Sequence, residues 1–219
     1  MNRIFWVTIV LVLLSISSGS AQFLGQLSAA PTLDRGDALW GTYLGVYDNA
    51  FALFGQFRYG VVTYVDLGLK LGMINYDPGL GNSRTGLTMG GDIKYWFMEK
   101  RSGDPLDISF GVGTEYLSIS DFNVLSLGGN VIASYPVDYY ETKRVTPYGR
   151  LNVRWQRTTL DKPWADPEKW NSGNSHSSDM NVALALGAEL KLTETLNLVG
   201  ELEIDDNVGF VAGVNYNIF

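Results

Sequence analysis

The chain has 219 residues, with 16 Lys and Arg against 23 Asp and Glu, and no Cys. That acidic balance, with no basic cluster to offset it, argues against a nucleic-acid partner. Charged residues make up 18%, below the roughly 25% of an average soluble domain, while glycine and aromatics are plentiful.

Residues 1–21, MNRIFWVTIVLVLLSISSGSA, have the three parts of a secretory signal peptide. Arg3 supplies the basic start, residues 4–14 the apolar run, and Gly19-Ser20-Ala21 a small-residue cleavage site. A membrane-spanning helix needs about 20 apolar residues, and Ser15, Ser17 and Ser18 end this run early. Cleavage after Ala21 is expected, which leaves residues 22–219 as one domain carrying a charge of about −8. No Cys follows the run, so neither a lipid anchor nor a disulfide is available to the exported domain.

From residue 38 on, apolar and polar residues alternate in ten segments: 38–47, 51–59, 65–75, 85–97, 106–117, 122–134, 146–158, 180–192, 196–204 and 208–218. Period two predicts strands. Most segments match the roughly 9–11 tilted residues that carry a strand across a bilayer. The clearest pair is LALGAELKLTETLNLVGELEI, residues 184–204, in which Thr193-Glu194-Thr195 separates two alternating runs as a tight hairpin would. After the first 21 residues no apolar stretch is long enough for a transmembrane helix, so a membrane-spanning reading requires a closed barrel.

The phase opposite to the apolar one carries Arg58, Asp66, Lys70, Asp92, Lys94, Asp107, Glu115, Arg150, Arg154, Glu189, Lys191, Glu201, Glu203 and Asp205. Gly68, Gly72, Gly90, Gly111, Gly113 and Gly187 are interleaved with them. A charge facing lipid costs up to about 2–4 kcal/mol at mid-membrane, so this phase must line the lumen if the sheet lies in a membrane. A soluble barrel would instead show a Lys- and Glu-rich exterior and small apolar residues inside. Aromatics gather near strand ends at Tyr47, Tyr59, Tyr64, Tyr76, Tyr95, Phe97, Tyr116, Tyr148 and Tyr216, as in the interfacial girdles of membrane barrels. The fold expected is all-β: a closed antiparallel up-and-down transmembrane β-barrel of about ten strands, with eight and twelve as alternatives. An even count puts both strand termini on one side, and the long connection 159–179 on the other. Connection 135–147, on the terminal side, is longer than such barrels prefer.

The stretch NVGFVAGVNYNIF at the C-terminus resembles the last strand of bacterial outer-membrane barrels. YGVVTYVDLGLKLG (59–72) resembles the short-turn hairpins of small barrels of the outer-membrane protein A and X type. The resemblance implies a cell outer membrane of Gram-negative type, contact with its lipid, and insertion by the barrel-assembly machinery with Phe219 as the assembly signal. Phe210, Ala212, Val214, Tyr216 and Ile218 share one phase and Phe219 falls outside it. Either the strand ends in a small bulge or Ile218 takes the place of the terminal aromatic.

Catalytic chemistry finds little support. The one histidine, His176, sits in SGNSHSSD and reads as a solvated loop residue; no catalytic residue, cofactor or metal ligand is assigned. Trp164 and Trp170, in LDKPWADPEKWN (160–171), are candidate contacts for a loop partner of unknown identity, or for the membrane surface. A ten-stranded barrel has a backbone diameter of roughly 20 Å. Inside it, Arg58, Arg150 and Arg154 are expected to reach Glu115, Glu201 and Glu203, while the inward glycines leave room for water. The functional expectation is a structural or surface-binding outer-membrane barrel, porin-like in build, with a narrow or plugged polar lumen. A narrow channel for small ions or solutes is the alternative, followed by a barrel enzyme and a soluble periplasmic barrel.

Overall fold

The computed structural model of the chain describes residues 26–77, 83–120, 122–140, 143–160, 176–205 and 208–218. The expected signal peptide, Trp164, Trp170 and Phe219 lie outside them. Among the described residues eleven strands form in chain order: β1 Ala38–Tyr47, β2 Ala50–Val62, β3 Val65–Tyr76, β4 Arg84–Met98, β5 Asp107–Ile119, β6 Phe122–Ser134, β7 Val137–Tyr140, β8 Lys143–Leu160, β9 His176–Lys191, β10 Leu196–Ile204 and β11 Val208–Ile218.

Ten of these close an up-and-down antiparallel transmembrane barrel. Each pairs with its sequence neighbours, β1 pairs with β11 from Ala38↔Ile218 to Tyr47↔Gly209, and β6 pairs with β8 from Phe122↔Leu160 to Ser134↔Tyr148. The remaining strand, β7, pairs only with β8 and extends the wall beyond the barrel at the end where both strand termini lie, here termed the terminal mouth. Connection 135–147 is therefore a hairpin and not a loop. Pro136 has no N–H and interrupts the ladder between β6 and β7. Pro147, also without a donor, lies opposite that break, and its carbonyl accepts from Tyr135 N at 3.1 Å. His176, expected in a loop, instead opens β9 opposite Thr159 and is exposed. The ladder of β11 runs to Ile218 without a register shift, so the last strand contains no bulge among its described residues.

Polarity is inverted relative to a water-soluble protein. Leu69 and Leu71 are each 64% exposed on the outer wall, whereas Arg58 is 1% and Arg150 0% exposed. Lipid is the solvent that makes this arrangement favourable, because it takes apolar surface readily and excludes charge. Trp40, Tyr59, Tyr64, Tyr95, Phe97, Tyr135 and Tyr216 are exposed toward the terminal mouth. Tyr47 and Tyr148, expected in the girdle, are buried in the interior because they stand in the inward phase of β1 and β8.

Their rings explain the inward glycines. Tyr148 lies directly across the ladder from Gly187, where an added Cβ would come within 2.6 Å of the phenol oxygen. Tyr43 covers Gly41 and Gly213, Tyr47 covers Gly45 and Gly209, and Phe54 covers Gly72. The space expected for water is thus taken up at Gly187 by an aromatic ring and at Gly72 by the Cβ and main chain of Phe54, a cross-strand packing that also pins register. Gly187→Val should cost about 1–3 kcal/mol through overpacking. It should lower the temperature at which the folded band is lost in heat-modifiability gels. Gly200→Ala, where an added Cβ meets nothing within 4 Å, should leave that temperature unchanged.

Candidate functional site

The charged residues assigned to the lumen by alternation stand in inward positions of their strands, apart from Asp205, which lies just past the end of β10. Arg58, Asp66, Lys70, Asp92, Lys94, Asp107, Glu115, Arg150, Arg154, Glu201 and Glu203 are buried. Glu189 and Lys191 are half-buried toward the terminal mouth, where Lys191 pairs with Glu194 at 2.7 Å.

The ion pairs differ in part from those expected. Arg150 does reach Glu201, at 2.5 Å, and Tyr148 Oη donates to the same carboxylate at 2.9 Å. Arg58 pairs instead with Asp66 and, at 2.8 Å, with Asp92. The register explains this choice: Arg58 faces Gly68 on β3, which faces Asp92 on β4, and Asp66 is the next inward residue of β3. Glu115 lies on β5, one strand further round, and meets Lys70 at 3.9 Å and Thr88 Oγ1 at 3.1 Å. Arg154 pairs with Asp205. Among the described residues, buried Glu203 Oε1 and Asn130 Oδ1 accept no hydrogen bond, and the side-chain amide of Asn152 neither donates nor accepts one.

The main feature that alternation could not reveal is a segment of chain inside the barrel. Residues 26–33 turn back from β1 into the lumen, and Gln26, Leu27, Ser28, Ala29 and Ala30 are buried there. The reversal is made at Asp34–Asp37, where Gly36 has φ 94° and its N–H donates to Gly60 O at 2.9 Å. Glycine adopts that left-handed conformation without the steric cost of a side chain. Leu27, Ala29 and Ala30 join one apolar cluster with Tyr43, Phe54, Ile132, Tyr148, Val199 and Val211.

Polar contacts fix the same segment. Lys94 Nζ donates to Ser28 Oγ at 3.0 Å, Ala29 O at 3.1 Å and Pro31 O at 2.8 Å, which uses all three ammonium protons. Asp66 stands 3.7 Å from that ammonium. Leu27 O accepts from Tyr43 Oη and Asn215 Nδ2, both at 3.3 Å. Ala29 N donates to Glu189 at 3.4 Å, Ala30 N to Ser134 Oγ at 3.2 Å, and Leu33 N to Asp66 at 3.3 Å. Gln26 Nε2 reaches Asp92 at 2.8 Å. The lumenal charges therefore have two roles: they neutralise one another, and several hold the segment.

Below the segment, a cavity of about 520 Å³ opens at the terminal mouth. Its wall includes Lys94, Lys100, Arg101, Arg144 and Lys191 together with Asp34, Asp66, Glu99, Asp107, Asp138 and Glu189. Lys100 spans this rim. Its N–H donates to Asp107 at 2.9 Å, and its ammonium lies 3.4 Å from the centre of the Tyr135 ring and donates to Pro136 O at 3.1 Å. On the projecting hairpin, the hydrogen bond from Arg144 at 2.7 Å holds the Asp138 carboxyl below its usual range. Among the described residues no group of three or more His, Asp or Glu is placed to hold a metal.

No family model and no curated protein sequence matches the chain. Among solved structures it is similar to the N-terminal β-barrel domain of Pseudomonas aeruginosa OprF, at 13% identity and a TM-score of 0.40, over 85% of this chain and 100% of that one. It is also similar to the β domain of the Bordetella autotransporter BrkA, at 14% identity and TM-score 0.46, over 84% and 100% of the two chains. The KdgM porin matches at 9% identity and TM-score 0.41, over 83% and 99%.

Removing one partner of a buried ion pair leaves an uncompensated charge and costs about 3–5 kcal/mol. Arg58→Ala should accordingly destabilise the barrel by that order in urea titrations of the detergent-folded protein. Combining it with Asp92→Asn, which removes one stranded carboxylate, should recover part of the loss.

Proposed function

We propose that the chain is an integral outer-membrane β-barrel of structural or surface-binding type whose lumen is closed at rest by its own residues 26–33. The observation that carries this reading is the burial of those residues on Lys94, Tyr43, Asn215, Ser134 and Glu189 inside the barrel. In this reading residues 1–21 direct export and are cleaved after Ala21, and the assembly machinery uses Phe219 to insert the domain. The terminal mouth faces the periplasm, and the opposite mouth carries the loop with Trp164 and Trp170 to the cell surface, where any partner is met. In this reading the barrel acts without catalysis or a cofactor, and His176 stands exposed at the start of β9.

A second reading, a narrow channel for small ions or solutes, is favoured by polar atoms of Asn130, Asn152 and Glu203 that have no partner among the described residues and by the open cavity at the terminal mouth. Planar-bilayer recording separates the two. The mature full chain should be silent, and a variant lacking residues 26–33 should conduct in discrete steps. Steady conductance from the intact chain at the level of the deletion variant would exclude closure by this segment and favour the channel.

A further inference from the structure

We propose that the half of the lumen next to the terminal mouth is a binding site for a polypeptide segment, and that residues 26–33 are its built-in, exchangeable occupant. This rests on the closed-lumen reading and goes beyond it, because a segment that merely fills space need not be replaceable.

Three features point to a peptide site. First, the barrel recognises main chain more than side chain. The carbonyls of Leu27, Ala29 and Pro31 and the amides of Ala29, Ala30 and Leu33 all bond to barrel side chains. Among the described residues, the side-chain hydrogen bonds between the segment and the wall are those of Ser28 Oγ, which accepts from Lys94, and of Gln26, which donates to Asp92. The segment is bent at Ser28, whose N–H donates to Gln26 O at 2.5 Å, and at Ala30. Chains of many sequences that follow the same path present the same amides and carbonyls, so such a site is selective for chain conformation and bulk.

Second, the side chains seated in the apolar cluster are small or aliphatic, Leu27, Ala29 and Ala30, against Tyr43, Phe54 and Tyr148. A peptide with large residues at the alanine positions would overfill this space. Third, the segment runs into β1 through an exposed turn, Asp34-Arg35-Gly36, beside a cavity that leads to the terminal mouth. Acidic and basic residues both line that cavity, so its charge does not restrict entry to one sign. The ligand class is therefore a neutral polypeptide segment rich in small residues, arriving from the side of the terminal mouth.

The test uses the folded full chain with a site-specific protease sequence inserted in the 34–36 turn. Cutting after folding severs the tether without asking a truncated chain to fold. A fluorescein-labelled peptide of residues 26–34, QLSAAPTLD, is then added and its anisotropy followed. Saturable binding to the cut protein and none to the uncut protein is expected. Affinity should fall at least tenfold with Lys94→Met in the barrel or with Phe at both alanines of the peptide. The proposal is overturned if cut protein that still runs as a folded band neither releases its segment nor takes up the peptide, or if Lys94→Met binds it equally well. A silent intact chain combined with no exchange would reject the peptide site and leave the closed lumen standing.

Discussion

Lipid offers no hydrogen bonds, and that constraint organises the whole molecule. Each backbone N–H and C=O of the wall must find its partner in a neighbouring strand, because an unpaired group in hydrocarbon costs several kcal/mol. The β1–β11 ladder is the decisive one, since it joins the first and last strands and leaves no open edge. The β6–β8 ladder keeps the wall continuous past the β7 hairpin, which lies beyond the spanning part of the sheet. Once the ring is closed, the side chains have only two environments, and alternation sorts them: Leu69, Leu71 and Val112 outward, Arg58, Asp92 and Arg150 inward.

Closure transfers the difficulty to the interior. A ring of ten strands is too narrow for a wide aqueous channel and too charged to collapse as an apolar core. The chain resolves this with three kinds of filling. Ion pairs such as Arg58 with Asp66 and Asp92 remove net charge. Tyrosine rings settle over glycines of their own and adjacent strands. A piece of the chain occupies the rest, with its amides and carbonyls met by Lys94, Tyr43, Asn215, Ser134, Glu189 and Asp66. Lys94 connects the first and third kinds, because it bonds the segment through every proton while standing near Asp66.

The wall was legible in the sequence and the filling was not. Period-two alternation is a local signal, so strands such as 122–134, 196–204 and 208–218 agree with the structure to the residue. The inward phase of the charges followed from the same pattern. Their partners did not, because Arg58 choosing Asp92 over Glu115 depends on register across three strands. The segment 26–33 has no periodicity and too little polarity to stand out, and its burial comes entirely from contacts with distant strands. Tyr47 and Tyr148 looked like girdle residues by position. Their phase, shared with Gly45 and Arg150, already placed them inward. The short β7 was hidden for a different reason, since Val137–Tyr140 is too brief to show a period.

Occupation of the lumen is best tested by nuclear Overhauser contacts in methyl-labelled protein in detergent or nanodiscs. Cross-peaks from the methyl groups of Leu27, Ala29 and Ala30 to ring protons of Tyr43, Phe54 and Tyr148 are expected if the segment lies in the interior cluster. Random-coil shifts for those methyls, with no contact to any interior ring in a barrel whose strand amides are protected from exchange, would contradict it.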